Sequence, residues 1–207
     1  MTALLHSHYW PNIHYFIYVI NSNRIVIDLH THYQKQSYAN RTEILSANGK
    51  LRLTLPVHKV KDHCPVIDVE ISYTQRWQAV HWGAITSAYR NSPYFEFFEE
   101  DIKAFYQKQY RLLHEFNTDQ LKLLLKLMRH KKDIGFTEQF PEDTTGTHDL
   151  RAMIHPKKRA SEDTHACDAL DKPYYQTFGH RYGFVPNLSV LDLLFNTGLE
   201  AVNHLKS

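Results

Sequence analysis

Asp28, His30 and His32 form the first pattern in this sequence that could carry chemistry. They alternate in the segment Asp28-Leu29-His30-Thr31-His32, and alternate residues of a β-strand face the same side. A carboxylate and two imidazoles on one face are suitable ligands for zinc or manganese. A complete site needs further histidine or aspartate ligands on later strands, and the sequence offers too few such strands. We therefore predict no metal site and keep a metal-dependent hydrolase as an alternative only.

The segment that follows, residues 33–41, is the second candidate. It is too polar to lie in a core and follows a buried strand, which is where open α/β sheets bind ligands. Lys35 and Arg41 can donate to a phosphate or carboxylate, and Gln36 and Asn40 can bind amides, hydroxyls or a base. We predict a ligand-binding loop. The alternative is a solvated loop in which Arg41 pairs with a nearby carboxylate.

His81 is the third candidate. It lies one helical turn after Trp77 and two turns before Tyr89. An imidazole with a pKa near its usual value suits general base catalysis at neutral pH. We predict this role for His81, and the alternative is a structural histidine on a helix face.

A group of cations in residues 149–159 is the fourth candidate, because apolar residues there are surrounded by basic ones. Such a segment could close over an anionic ligand, and the alternative is a solvated basic loop. Its basic residues are Arg151, His155, Lys157, Lys158 and Arg159.

The N-terminal elements that would position these residues read as a βαβ unit. Residues 12–21 predict a helix with Pro11 near its first turn, although the β-branched and aromatic content also allows a strand. Residues 24–30 predict a buried strand, which implies parallel pairing with the segment before the helix.

Asn48-Gly49 between two strand-like runs predicts a hairpin over residues 41–57. Residues 66–72 alternate with period two and predict a further strand.

The second half of the chain is predicted to be helical. Trp77, His81, Ile85 and Ala88 share one helix face. We expect Ser92 to cap the next helix, which would run to about residue 116, and Thr118 to cap a third. Residues 131–172 show little periodicity and read as a partly mobile insert. Asn187 is expected to cap a helix that stops at Gly198. The predicted fold is one α/β domain: a small mixed sheet with an N-terminal βαβ unit and a β-hairpin, then a helical C-terminal half.

Composition limits the function classes. The chain has 207 residues and a formal net charge of +2, which gives no electrostatic footprint for nucleic acid. Cys64 and Cys167 form no Cys-x-x-Cys pair, so neither a disulfide framework nor a zinc knuckle is expected. No signal peptide and no long apolar run is visible, so we expect no membrane span and a cytoplasmic protein.

Dispersed motifs in a fixed order resemble the WbqC-like protein family along nearly the whole chain. They are YWPNIHYF, HYQKQSYANRTEI followed by LRLTLPV, the pattern W-x-x-x-H-W-x-x-I-x-x-A-Y-x-N-S-P-Y-F, DLRAMIHPKK, KPYYQTF and GFVPNLSVLDLLFN. The family takes its name from bacterial surface-polysaccharide (O-antigen) gene clusters. The resemblance implies a bacterial cytoplasmic protein and an enzyme that tailors nucleotide-linked sugars or other activated intermediates. Ser7-His8 departs from the family, in which many members have Gln-Pro before the Tyr-x-Pro element.

The site prediction combines the residue patterns with this resemblance. His81, Lys35 and Tyr89 are the predicted catalytic residues. Predicted to bind substrate are Tyr9, Asp28, Gln36, Asn40, Arg41, Tyr94, Arg151, His155, Lys157 and Asn187. Pro11 lies in the first of these motifs, and the resemblance therefore implies that it also matters for the site.

Two further similarities are more local. IDLHTH resembles the first metal motif of the PHP and amidohydrolase families. The opening residues resemble the nucleotidyltransferase and pantothenate-synthetase superfamily, in which His14 after Pro11 would bind a phosphate at the start of a helix.

The predicted function is transfer of an acyl or nucleotidyl group to a sugar-linked amine or a similar small molecule. The expected partner is a small-molecule substrate, nucleotide-linked or acyl-activated, with no cofactor and no nucleic acid. The oligomeric state stays open. The alternative from another class is a non-catalytic module that binds a ligand or acts as a scaffold.

Overall fold

The chain begins with the predicted βαβ unit. The computed structural model describes residues 1–141 and 143–206. Strand β1 (Thr2–His6) is followed by helix α1 (Ile13–Asn21) and strand β2 (Arg24–Asp28). The two strands pair in parallel, with Thr2 opposite Arg24 and His6 opposite Asp28. Asn12 caps α1, because its side chain accepts a hydrogen bond from the Tyr15 amide.

Two later strands complete a four-stranded parallel sheet. Strand β5 (Asp133–Phe136) pairs with β2, and strand β6 (Thr147–Asp149) pairs with β1, so the order is β5-β2-β1-β6. Both strands come from residues 131–172, which the sequence presented as an insert without periodicity. With four and three residues, these edge strands are too short to give a periodic signal. The mobility predicted for this stretch stays a prediction.

The predicted hairpin forms a separate antiparallel sheet. Strand β3 (Arg41–Ser46) pairs with strand β4 (Gly49–Thr54), and Ser46 is opposite Gly49. The two-residue turn is therefore Ala47-Asn48, one position before the expected pair. Gly49 has a φ of 94°, which explains why a glycine follows the turn.

Three long helices follow, and two of their predicted starting points are wrong. Helix α2 (Trp77–Tyr89) matches the prediction, whereas α3 (Phe95–Gln107) and α4 (Leu113–Leu127) begin at other positions than expected. The Ser92 hydroxyl donates to the Tyr89 carbonyl instead of capping α3. Thr118 is buried inside α4. That helix begins where the Leu113 amide donates to the Val69 carbonyl, a tertiary bond that local sequence does not reveal.

The strand predicted for residues 66–72 is also wrong. Val66–Asp68 form a single 3-10 turn, and only isolated bridges involve Glu70 and Ile71. Val66, Val69 and Ile71 are buried, so the apolar residues of this stretch enter the core from a turn followed by irregular backbone.

Short helices fill the C-terminal part: α5 (Cys167–Asp171), α6 (Gly179–Tyr182), α7 (Val190–Thr197) and α8 (Ala201–Leu205). Ser189, not Asn187, caps α7 by accepting from the Leu191 amide. Asn187 caps a different helix: its Oδ1 accepts from the His14 amide in the first turn of α1. Gly198, with a φ of 61°, ends α7 as predicted.

One contiguous cluster of buried side chains joins the sheet, the hairpin and the helices. It includes Phe16 of α1, Ile27 of β2, Ile44 of β3, Phe116 of α4 and Phe195 of α7. None of the helices in the described ranges is long and apolar enough to cross a membrane.

Candidate functional site

The sheet reverses direction beside β1, and this reversal defines the candidate site. The chain passes from β1 to β2 and outward to β5, and then returns to the other side of β1 with β6. In open parallel sheets, ligands bind at such a switch point, in the crevice beyond the carboxyl ends of the strands. Those ends are His6 of β1, Asp28 of β2 and Asp149 of β6.

A buried ion pair lies at the bottom of this crevice. Arg151 Nη1 donates to Asp28 Oδ2 at 2.6 Å, and its Nη2 and Nε donate to Asp149 at 2.7 and 2.9 Å. The Asp28 side chain is fully buried, so it depends on this cation and on its other donors for stabilisation. The hydrogen bonds from Arg151 also lower the pKa of Asp149. The predicted basic segment is thereby attached to the strand ends.

Two adjoining cavities open at the strand ends. The inner pocket is narrow, with a cavity volume of about 20 Å³, whereas the outer cleft has a volume of about 490 Å³. They share His6, Thr31, Gln34 and His155. The other residues of the inner pocket are Ser7, His8, His32, Ser37, Tyr38, Ala39, Val66 and Ile154. The other residues of the outer cleft are Phe140, Asp149, Arg151, Ala152, Lys157 and Lys158.

Three imidazoles of the crevice, those of His6, His8 and His155, have lowered pKa values and are therefore uncharged at neutral pH. Burial lowers the pKa of His6 to about 4, although Asp28 partly opposes the shift. Burial, with a contribution from His6, holds the pKa of His8 well below its usual value. The pKa of His155 is lowered by burial and by the neighbouring Lys157 and Lys158. Neutral imidazoles can accept protons, which an imidazolium cannot do.

His6 and His8 also have unused hydrogen-bonding capacity. The Nδ1 atoms of both rings are buried and have no hydrogen-bond partner among the described residues. His155 differs, because its Nδ1 accepts from the Lys157 amide at 3.2 Å, which leaves its Nε2 as the protonated nitrogen. Buried polar atoms without a partner are uncommon and mark places where a ligand can bind. The crevice therefore combines free imidazole nitrogens with cations.

The loop after β2 contributes to the crevice through other residues than those predicted. Thr31, Gln34 and Ser37 line the cavities, whereas Lys35 and Gln36 are exposed and line neither. Asn40 is buried, and its Nδ2 donates to the Leu55 carbonyl at 2.7 Å.

Arg41 begins β3, and its buried Nε has no hydrogen-bond partner among the residues that the structure describes. Arg41 lines neither cavity of the crevice, and its role as an anion ligand stays a prediction.

His81 lies in a buried aromatic cluster. Its Nδ1 is 2.8 Å from the Tyr9 hydroxyl, which is 3.0 Å from the Tyr106 hydroxyl, and Trp10 Nε1 donates to Tyr106 at 2.7 Å. Burial lowers the pKa of His81 to about 4. Neither His81 nor Tyr9 lines the inner pocket or the outer cleft, so the structure does not bring them to Asp28 and Arg151.

Three other predicted residues lie in the helical half. Tyr89 is buried, and its hydroxyl accepts from the Leu45 amide. Tyr94 is 38% exposed and lies next to Gly198. Asn187 binds the first turn of α1. None of the three lines the crevice cavities.

The predicted convergence of Asp28, His30 and His32 is wrong. Strand β2 ends at Asp28, and the chain then turns so that the His30 amide donates to Asp28 Oδ1 at 2.9 Å. The ring of His32 instead faces His63, with 3.3 Å between the two Nδ1 atoms. Across residues 1–141 and 143–206, no three metal-ligating side chains are grouped in a way that could hold a metal ion.

His14 does not take the position that the nucleotidyltransferase similarity implies. Its Nε2 lies 2.7 Å from Asp163 Oδ2, and both side chains are buried. His14 lines neither cavity. The strand, proline-containing loop, helix and strand of that similarity are present, whereas the proposed phosphate ligand is engaged elsewhere.

Sequence reasoning missed His6, Ser7 and His8. The signal that could have found them is their position directly after a strand, the same rule that selected the loop after β2. The rule could not be applied to β1 because the neighbour on its other side, β6, has only three residues.

Comparison with known proteins gives two matches. The model of the WbqC-like protein family matches residues 6–166, which include β2, β5, β6, the last residue of β1 and the residues that line the crevice. The chain is also 25% identical over 227 aligned positions to the uncharacterized protein Rv1507c of Mycobacterium tuberculosis, covering 99% of this chain and 96% of that protein. No solved structure matches the chain.

Proposed function

Because the chain belongs to the WbqC-like protein family, we propose that it is an enzyme that tailors an activated sugar or related small molecule. The reaction is transfer of an acyl or nucleotidyl group, in bacterial surface-polysaccharide or related biosynthesis. The observation that supports this most directly is the crevice at the switch point, where cations and neutral imidazoles with free Nδ1 atoms lie together. Anionic substrates and proton transfer both need such groups.

The anionic part of the donor binds in the outer cleft. Lys157 and Lys158 are exposed there and are free to donate to phosphate oxygens. Arg151 is engaged with two carboxylates, so it holds the floor of the cleft and is not the principal phosphate ligand. His155 presents Nε2–H as an uncharged donor beside these lysines.

The reactive end of the substrate lies in the outer cleft at the mouth of the inner pocket, where His6, which lines both cavities, is the general base. Its unpaired Nδ1 accepts the proton of the attacking hydroxyl or amine. The pKa of about 4 applies without ligand, and a bound anion nearby raises it toward neutrality by favouring the charged imidazolium. The nucleophile attacks the acyl carbon or the phosphorus, and the thiolate or diphosphate leaving group departs. This assignment competes with the prediction that His81 is the base.

A calorimetric screen tests the binding part of the proposal. Nucleotide-linked sugars and acyl-coenzyme A compounds are titrated into the wild-type chain and into Lys157→Ala/Lys158→Ala. The double variant should lose at least about tenfold in affinity for any ligand found, because two charged hydrogen bonds disappear. Lys59→Ala/Lys61→Ala is the matched control, since these exposed lysines line neither crevice cavity. An equal loss of affinity in both double variants would show that the crevice is not the binding site.

The variant Arg41→Ala tests whether the donor binds in the crevice or at the loop after β2 that the sequence predicted. If the crevice binds the donor, Arg41→Ala leaves the affinity unchanged, because Arg41 lines neither cavity. A large loss with Arg41→Ala, together with intact binding in the double lysine variant, would favour the loop.

Turnover distinguishes the two candidate bases. His6→Gln should retain ligand affinity and lose turnover, whereas His81→Gln should lower stability and leave the turnover of the folded fraction intact. Thermal unfolding of each variant gives that fraction. The opposite pattern would assign the base to His81.

A non-catalytic binding module is the second candidate. The observation in its favour is the low pKa of His6, about 4, because such an imidazole is a weak base until a ligand raises its pKa. This function predicts that a ligand binds in the calorimetric screen with no turnover, and that His6→Gln leaves the biological activity unchanged.

A further inference from the structure

A second, strongly basic cleft lies at the end of α4, where the chain turns toward β5. We name it the α4-end cleft; it is an open cleft with a volume of about 650 Å³. It shares no lining residue with either crevice cavity. Its residues are Lys122, Leu125, Lys126, Arg129, His130, Lys131, Lys132 and Ile134.

The charge of this cleft is far above the average of the molecule. Five of its residues are lysine or arginine, whereas the whole chain has a net charge of only +2. Taking +5 from +2 leaves −3 for the remainder of the chain. A concave surface with charges of one sign concentrates the field and attracts ligands of the other sign.

The nearby carboxylates do not neutralise these cations. Asp133 pairs with Arg24 at 3.2 Å, outside the cleft, and Asp119, which accepts from the Tyr110 hydroxyl, lies 4.0 Å from Lys122. Lys126, Arg129 and Lys131 have no ion pair within the described residues, and all three are exposed. Three charged side chains are therefore free to bind an anion.

The general preference of helix ends for cations does not account for this cluster. Cations near a helix C-terminus are favoured because the last carbonyls lack partners. Here the carbonyls of Leu124, Leu125 and Lys126 already accept from the amides of Met128, His130 and Arg129. This is the Schellman arrangement, and it gives each of these three carbonyls a backbone partner.

Arg129 occupies the position in that arrangement where glycine is preferred. Its φ is 53°, in the left-handed region that residues with a Cβ adopt at a cost. Local stability favours glycine here, yet the chain carries an arginine whose side chain lines the cleft. A conformational cost at a residue with a free cationic side chain suggests a function for that side chain.

His130 supplies a further hydrogen-bonding group. Its Nε2 is buried and has no hydrogen-bond partner in the described parts of the chain. Lys132, in contrast, is anchored, because its Nζ donates to the carbonyls of Ile20 and Ser22. Of the five cations in the cleft, three have no ion pair within the described residues, Lys122 lies near Asp119 and Lys132 is anchored, and the cleft also contains one unpaired imidazole nitrogen.

We propose that the α4-end cleft binds a soluble ligand that carries two or more phosphate groups. Arg129 donates in bidentate fashion to one phosphate, Lys126 and Lys131 donate to the others, and Leu125 and Ile134 contact the apolar part of the ligand. A soluble ligand fits better than a bilayer surface because the cleft is concave, whereas a bilayer presents a flat layer of headgroups. The site is independent of the crevice and of its proposed reaction.

Tripolyphosphate is the probe that tests this site. It is titrated calorimetrically into the full chain at low and at high salt. Binding should weaken with salt and should fall by at least about tenfold in Lys126→Gln/Lys131→Gln. The matched control is Lys59→Gln/Lys61→Gln, which should bind as the wild type does.

Arg129→Gly gives a result that a purely structural arginine would not give. Glycine relieves the left-handed backbone, so the midpoint of thermal unfolding should rise by about 2–4 °C, while the affinity for tripolyphosphate should fall by about tenfold. Higher stability with unchanged affinity would overturn the role of Arg129 and the proposed site.

Vesicles of phosphatidylglycerol and phosphatidylcholine in equal parts form the second arm. Binding to these vesicles without binding of tripolyphosphate would overturn the proposal in favour of a membrane surface. Binding of neither probe, or equal losses in the cleft and control variants, would also overturn it.

Discussion

Arg151 and Asp28 form an ion pair with 2.6 Å between Nη1 and Oδ2, although 123 positions separate them in the sequence. Asp28 is fully buried and ends β2, and Arg151 follows the last residue of β6 by two positions. The pair therefore attaches the basic segment to the carboxyl ends of the parallel strands. It is also the contact on which the shape of the candidate crevice depends.

Arg151→Ala should lower the free energy of unfolding by about 3 kcal/mol, because it leaves a buried carboxylate without its cation. Urea denaturation at neutral pH measures the loss. Asp28→Asn in the same chain is the compensating change, since the amide oxygen can still accept from the His30 amide and no unpaired charge remains. The double variant should recover part of the stability. A double variant as unstable as the sum of the single variants would show that the ion pair is not the cause.

The buried histidines should make stability depend on pH. Burial lowers the pKa of both His6 and His81 from 6.5 to about 4. Between these values the unfolded chain binds more protons than the folded chain, so stability is complete above pH 6.5 and falls as the pH drops toward 4. Denaturant midpoints measured across this interval should decrease steadily on the acid side.

His81→Gln isolates the contribution of one histidine. The variant should show a smaller loss of stability between pH 6.5 and about 4 than the wild type does. Burial raises the pKa of Asp192 to about 6, so this residue makes stability change with pH in the opposite direction. Because Asp192 is present in both the wild type and the variant, its effect cancels when the two curves are subtracted. The exposed His58→Gln is the control and should leave the pH dependence unchanged. Parallel curves for wild type and His81→Gln would contradict the prediction.

Asn187 is expected to stabilise the folded protein. It has a φ of 55°, and its Oδ1 accepts from the His14 amide. Asn187→Ala removes the cap and places a Cβ-bearing residue without a polar side chain in the left-handed region, so it should cost about 2 kcal/mol. Asn187→Gly removes only the cap and should cost about half as much. Urea denaturation compares them. A glycine variant less stable than the alanine variant would contradict this backbone argument.

Gly198 and Tyr94 are expected to be coupled. A Cβ at Gly198 would lie 2.7 Å from the Tyr94 ring, and the φ of 61° disfavours any side chain. Gly198→Ala should therefore lower the free energy of unfolding by about 2 kcal/mol or more. In a Tyr94→Ala background the same change should cost less, because the steric conflict is gone and only the backbone term remains. A double-mutant cycle measures this difference, and an additive result would mean that Tyr94 does not cover Gly198.

The sequence by itself determined the elements that local patterns encode. The β-branched run of β2, the Asn48-Gly49 pair and the helical spacing of Trp77, His81, Ile85 and Ala88 each predicted an element that forms. The family motifs could also be recognised in the sequence, because each motif is defined by the types of residues that lie close together in the chain. Asp28, Arg151, His155 and Lys157, which were predicted to bind substrate, lie together at the strand ends, and their role in binding stays a prediction.

Only the tertiary structure decided which of these segments meet. The crevice exists because β6, three residues long, pairs with β1 rather than with β5. That choice brings Arg151 to Asp28 and leaves His81 among Tyr9, Trp77 and Tyr106. Strand order depends on packing across the whole sheet, and a segment of three residues carries too little pattern to reveal its partner. The same limit hid the start of α4, which a backbone bond from Leu113 to Val69 sets.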